Sequence, residues 1–172
     1  MDAIKLLHEQ FNFMHSVLDQ MIDGLTPEQL QYNPDGLTMP IAANLSHMLS
    51  GEDIMLHTFV IGGTALCHGE WAGRTGSSEL QEWGTDMATW GDKVVVDLEQ
   101  TKQYAQAVYA QTAAYLDSIN AADLDRTVDL SGFGMGDQPV GVVFALMIAN
   151  TQWHTGEIAA VKGMQGLQGY PF

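Results

Sequence analysis

Asn150, His154 and Glu157 follow one another at spacings of four and three residues. A helical residue advances about 100°, so in a helix these three fall within about 60° of each other. One face then carries an amide, an imidazole and a carboxylate, groups suited to a metal ion or a polar ligand. The residues around them are apolar, from Val142-Val143-Phe144 through Leu146-Met147-Ile148 to Ala159-Ala160-Val161. Polar groups facing such an interior need partners, because burying one without any costs about 1–3 kcal/mol. The same residues would equally serve as a hydrogen-bonded layer that fixes helix register.

A second imidazole of interest is His47, on one helical face with Asn44, Gly51 and Ile54. Gly51, one turn on, has no side chain to crowd the ring, and a glycine inside a helix costs up to about 1 kcal/mol against alanine. Glu52 and Asp53 follow, and His57 lies about 80° round from His47. His8 and His15 are seven apart at the rim of another apolar stripe, where histidines are more often structural than functional.

These side chains need elements to position them. Ile4, Leu7, Phe11, Met14, Leu18, Met21 and Leu25 step by threes and fours, which predicts a helix of about 25 residues and about 37 Å. Thr26, Pro27 and Gln29 carry the signature of a short capped helix, and Asn33-Pro34-Asp35-Gly36 that of a turn. A second long helix is expected from Met39 or Pro40 to Ile61. A third is expected from near Asp92 to Ile119, on the stripe Val94, Leu98, Thr101, Ala105, Val108, Thr112, Tyr115 and Ile119. A fourth should run from about Pro139 to Gly163, with residues 129–139 a loop or a short extended excursion.

Between the second and third helices, residues 62–91 have no strong period. They mix glycines with Trp71, Trp83 and Trp90, and a short helix could begin after Ser77-Ser78. That length points to a functional lid or a solvated crossover. Arg74 sits there as an isolated cation, able to meet an anionic substrate group or simply to pair with a neighbouring acid. Four long amphipathic helices without convincing strands predict an all-α four-helix bundle with a long connection between helices 2 and 3.

Composition narrows the function classes. The chain has 172 residues, the size of one domain with a full core. Six Lys and Arg against 21 Asp and Glu give a formal charge of −15, spread along the chain. That charge opposes nucleic acid and anionic membranes as partners. The single cysteine, Cys67, rules out an intramolecular disulfide, which fits a cytoplasmic setting. It is also a poor nucleophile candidate, since nothing pairs it with a base. No signal-peptide block opens the sequence, and no run approaches the roughly 20 apolar residues of a membrane span.

Two segments carry a family resemblance. Pro34-Asp35-Gly36-Leu37-Thr38, then Ala43-Asn44-Leu45-Ser46-His47 and Glu52, is similar to the second-helix motif of the DinB-like (DinB/YfiT) family. Trp153-His154-Thr155-Gly156-Glu157-Ile158 resembles that family's fourth-helix motif, where the second histidine of an H-x-x-x-H pair precedes G-[QE]-I. The resemblance covers the whole chain in helix order. It implies a four-helix bundle, often a homodimer, that acts on a small molecule through a divalent metal, zinc or nickel, held by three histidines. Its characterised members are mainly thiol-dependent S-transferases and isomerases. Carried over by position, His47 and His154 are metal ligands, and the third ligand falls at Asn150. A neutral amide oxygen binds Zn²⁺ or Ni²⁺ far less well than imidazole.

Three outcomes stay open. Asn150 completes a weak site; Glu157 supplies a carboxylate for a His-His-Glu set; or the pocket holds no metal and binds a small molecule, or is purely structural. In the enzymatic case Glu52 or Glu157 would be the general base or an orienting partner, with Trp153 and Arg74 as candidate substrate contacts.

Overall fold

A computed structural model describes residues 2–33, 36, 38–82 and 84–172. Pro34, Asp35 and Leu37 of the expected turn and motif, and Trp83, lie outside the described residues. The first long helix, α1 (Ala3–Ile22), is capped by Asp2, whose side chain accepts from the Lys5 N–H at 2.8 Å. It buries Phe11, Met14, Leu18 and Met21 as the stripe predicts. It stops three residues before Leu25, because Asp23 is extended and Gly24 takes a positive φ of 70°. Thr26 and Gln29 then form a reciprocal capping box on the short α2 (Pro27–Leu30).

The second long helix, α3 (Ile41–Ile54), continues in π-helical form over Met55–Ile61 and ends at Gly62, φ 80°. It buries nearly every residue from Ile41 to Asp53, including Glu52 (4 % exposed) and Asp53 (0 %). The segment that follows does not revert to helix near Asp92. Val94 and Val96 are buried while Val95 points out, the alternation of an extended chain. Ser77 bridges Val96, and the Ser78 N–H donates to Val95 O at 2.8 Å, so no helix follows Ser77-Ser78. Among the described residues the segment holds a short 3-10 turn at Leu66–His68 and the α-helix α4 (Met87–Gly91). Asp97 caps α5 (Leu98–Ser118), six residues later than the stripe suggested.

Residues 129–139, expected to be a loop or a short extended excursion, belong to a two-stranded antiparallel ribbon, β1 (Thr127–Asp129) on β2 (Asp137–Pro139). The last helix, α6 (Val140–Met164), starts just after Pro139 as expected. The fold is thus mostly helical with one small ribbon. Its four long helices form a ring in which α1 and α3 each pack on α5 and α6. Lys162 of α6, itself buried, donates to Met21 O and so satisfies a carbonyl in the last turn of α1. Among the described residues no helix is long and apolar enough to cross a membrane.

Gly76 shows how tightly the middle segment is fastened. Its carbonyl accepts from the Asp97 N–H at 2.8 Å, with φ at 83°. A Cβ there would lie 2.3 Å from Thr101 Oγ1 and 2.4 Å from Thr101 N. Gly76→Ala is therefore expected to destabilise the fold by about 2 kcal/mol or more, through clash and left-handed strain. A urea unfolding curve measures this as a lowered midpoint.

Candidate functional site

The site lies where α3 faces α6. His47 from α3 and His154 from α6 meet edge to face, with ring centroids 4.8 Å apart and planes at 77°. Each ring is held from its Nδ1 side. Gln81 Oε1 lies 2.8 Å from His47 Nδ1, and Glu157 Oε2 lies 2.8 Å from His154 Nδ1. Both oxygens are acceptors, so each Nδ1 carries a proton. Gln81 comes from the middle segment, which sequence periodicity left without a role.

Burial holds the His47 imidazole below its ordinary value of 6.5. The Gln81 hydrogen bond works against that shift, His154 adds to it, and Asn150 and Glu157 oppose it more weakly. His47 is accordingly a neutral acceptor near pH 7. Asn150 faces Gly51, where an added Cβ would sit 3.8 Å from Asn150 Nδ2, an ordinary contact. The expected demand for space at Gly51 is therefore absent.

A cavity of about 410 Å³ opens beside this pair. Ile54, Met55, Leu146, Met147, Phe133 and Met135 supply most of its wall, with Trp153, 66 % exposed, at its edge. His47, Ser50, Gln81 and Asn150 are its polar contributors, together with Glu52. Glu52 is otherwise engaged: Oε2 meets His15 Nε2 at 3.0 Å and Oε1 accepts from Thr112 Oγ1 at 2.6 Å. His15 in turn stacks on Tyr109 at 3.5 Å. Glu52 thus ties α1, α3 and α5 together at the inner wall of the cavity.

Other singled-out residues lie elsewhere. Arg74 donates to Glu70 O and sits over the Trp71 ring, 5.5 Å from its centroid; it does not line the cavity. His8 pairs with Asp117, His57 with Asp53, and His68 is exposed. Asp53 accepts from the N–H groups of Leu66 and Cys67 at 2.8 Å each, and from Tyr104 Oη at 2.7 Å. Burial, then the Asp53 charge, pushes the Cys67 thiol up to about 12, in keeping with an inert cysteine.

The donor set does not fit a three-histidine metal centre. Asn150 stands at the third position, and Glu157 meets His154 on the Nδ1 side, where an orienting partner belongs. Among the described residues, no three histidine, cysteine or carboxylate side chains converge to hold a metal ion.

His47 should therefore titrate below 6.5 when followed by NMR of its ring protons. Gln81→Leu is expected to lower that value further, and His154→Ala to raise it. Because the unfolded chain binds this proton more readily, His47 contributes stability that is complete above about pH 6.5. That contribution fades as pH falls toward the folded-state value. A stability profile showing no His47-dependent loss on acidification would contradict the assignment.

The model of the DinB superfamily matches residues 10–158. Among solved structures, a conserved protein from Enterococcus faecalis is similar with a TM-score of 0.78 and 17 % identity, over 94 % of this chain and 96 % of that one. A DinB-like protein from Bacillus cereus ATCC 10987 is similar at 0.58 and 14 %, over 94 % and 92 %. At these identities the likenesses speak for the fold. A search of curated proteins gives no match. The family match extends over most of the chain and takes in His47, Asn150, His154 and Glu157: the chain belongs to the DinB superfamily.

Proposed function

We propose that this chain is a four-helix-bundle protein of the superfamily that binds a small, largely apolar molecule beside His47, without a tightly held metal. One observation carries the reading. The cavity joins an apolar wall of ligand-sized volume to a short polar end, where His47 is held neutral by burial and its ring meets the side chains of Gln81 and Asn150. Such pockets bury the apolar body of a ligand and fix its orientation with a few polar groups. A ligand hydroxyl would donate to His47 Nε2. It would take the place of the Asn150 side chain at that nitrogen, and its oxygen would accept from the freed Asn150 amide.

A second reading has specific support. Both rings are oriented from Nδ1, the usual arrangement around a metal, and Asn150 is the side chain that meets His47 besides Gln81. In that case His47, His154 and Asn150 hold zinc or nickel weakly, for the thiol-dependent transfer chemistry of the family. A homodimeric, cytoplasmic protein is part of either reading and rests on the family resemblance and the lone cysteine.

p-Cresol, an apolar ring with one hydroxyl donor, tests the first reading. Calorimetry should detect binding to the native chain. His47→Leu should weaken it by about tenfold, the value of one hydrogen bond near 1.4 kcal/mol. Leu146→Trp, which fills the cavity, should abolish it. Binding that ignores both substitutions would overturn the proposal.

A further inference from the structure

Gln81 has a second face. A groove of about 1010 Å³ lies beside the His47 cavity, and Ile54 and Gln81 line both. The two spaces differ in chemistry. The groove is edged by the hydroxyls of Thr58, Thr75, Ser77 and Thr85 and by the carboxylates of Glu79 and Glu82. Among its described lining residues there is no lysine or arginine; His68 is the basic side chain present, and Phe59 and Leu80 add apolar wall. Trp90 also forms part of the wall at 3 % exposure, and its buried Nε1–H has no hydrogen-bond acceptor. Gln81 uses its Oε1 on His47, which leaves its amide hydrogens to donate at the junction.

We propose that this groove takes the head group of the ligand whose apolar body occupies the His47 cavity. The head group is rich in hydrogen-bond donors and carries no negative charge. The inference rests on the small-molecule reading above and adds the substrate class, an amphiphile with a hydroxylated or amine head. Glu79 and Glu82 accept from hydroxyl or ammonium donors and repel carboxylate or phosphate, as does the chain's charge of −15. Hydroxyl groups donate and accept, so they satisfy the threonine and serine edges and the Gln81 amide at the junction. An ammonium head matches the two carboxylates alone.

Three probes with one six-carbon tail separate these cases: hexyl β-glucoside, hexylammonium and hexanoate, titrated into the full chain by calorimetry and backbone-amide NMR. The glucoside or the ammonium should bind at least about tenfold more tightly than hexanoate and shift the amides of Ser77 and Thr85. A glucoside preference identifies a hydroxylated head, and an ammonium preference an amine. The double substitution Glu79→Gln, Glu82→Gln should bring an ammonium preference down to the level of hexanoate. Equal binding of all three probes, with shifts confined to residues such as Met55 and Trp153, would overturn the head-group site and leave the His47 cavity standing. Binding by none of them contradicts the cavity reading, and this one with it.

Discussion

Two adjacent carboxylates on α3, Glu52 and Asp53, are both buried, and the rest of the structure is arranged to supply them with donors. A buried carboxylate stripped of partners costs several kcal/mol. Successive helical residues point about 100° apart, so the two must be satisfied in different directions. Glu52 takes His15 from α1 and Thr112 from α5, which fixes three long helices around one point. Asp53 takes Tyr104 from α5 and two backbone N–H groups from residues 66 and 67. The second set anchors the chain leaving α3, and that chain delivers Gln81 to His47. The His47 imidazole is therefore held in place by a carboxyl group, that of Asp53, which it does not touch.

The same economy of polar contacts defines the pocket. His47 and His154 are each oriented from Nδ1, by Gln81 and by Glu157. Burial keeps His47 neutral in a strongly acidic protein whose charge would otherwise favour the imidazolium. Asn150 stands where the family resemblance implies a third histidine, and its amide, unlike an imidazole nitrogen ligand, both donates and accepts.

Much of this was legible in the sequence because period and position report burial directly. The stripe from Phe11 to Met21, the cap at Thr26, the helix starting after Pro139 and the shared face of Asn150, His154 and Glu157 all follow from residue spacing. The start of α5 did not, since Val94, Thr101, Ala105 and Val108 keep one helical period across a boundary. The signal against it was the β-branched run Val94-Val95-Val96, followed by Asp97 as a cap. Gln81 was invisible for a different reason. It acts from a segment without period, and its contact with His47 spans 34 residues of chain. His15 and Glu52 were each noticed, yet nothing in a linear pattern shows that two helices bring them together.

The central claim is that this pocket serves a small molecule without a tightly held metal. Elemental mass spectrometry on protein purified without a histidine tag, native and His154→Ala, tests it most directly. The account predicts zinc and nickel far below one ion per chain in both proteins, with the native chain surrendering any added metal to a mild chelator. Near-stoichiometric zinc or nickel in the native protein that disappears in His154→Ala would contradict it.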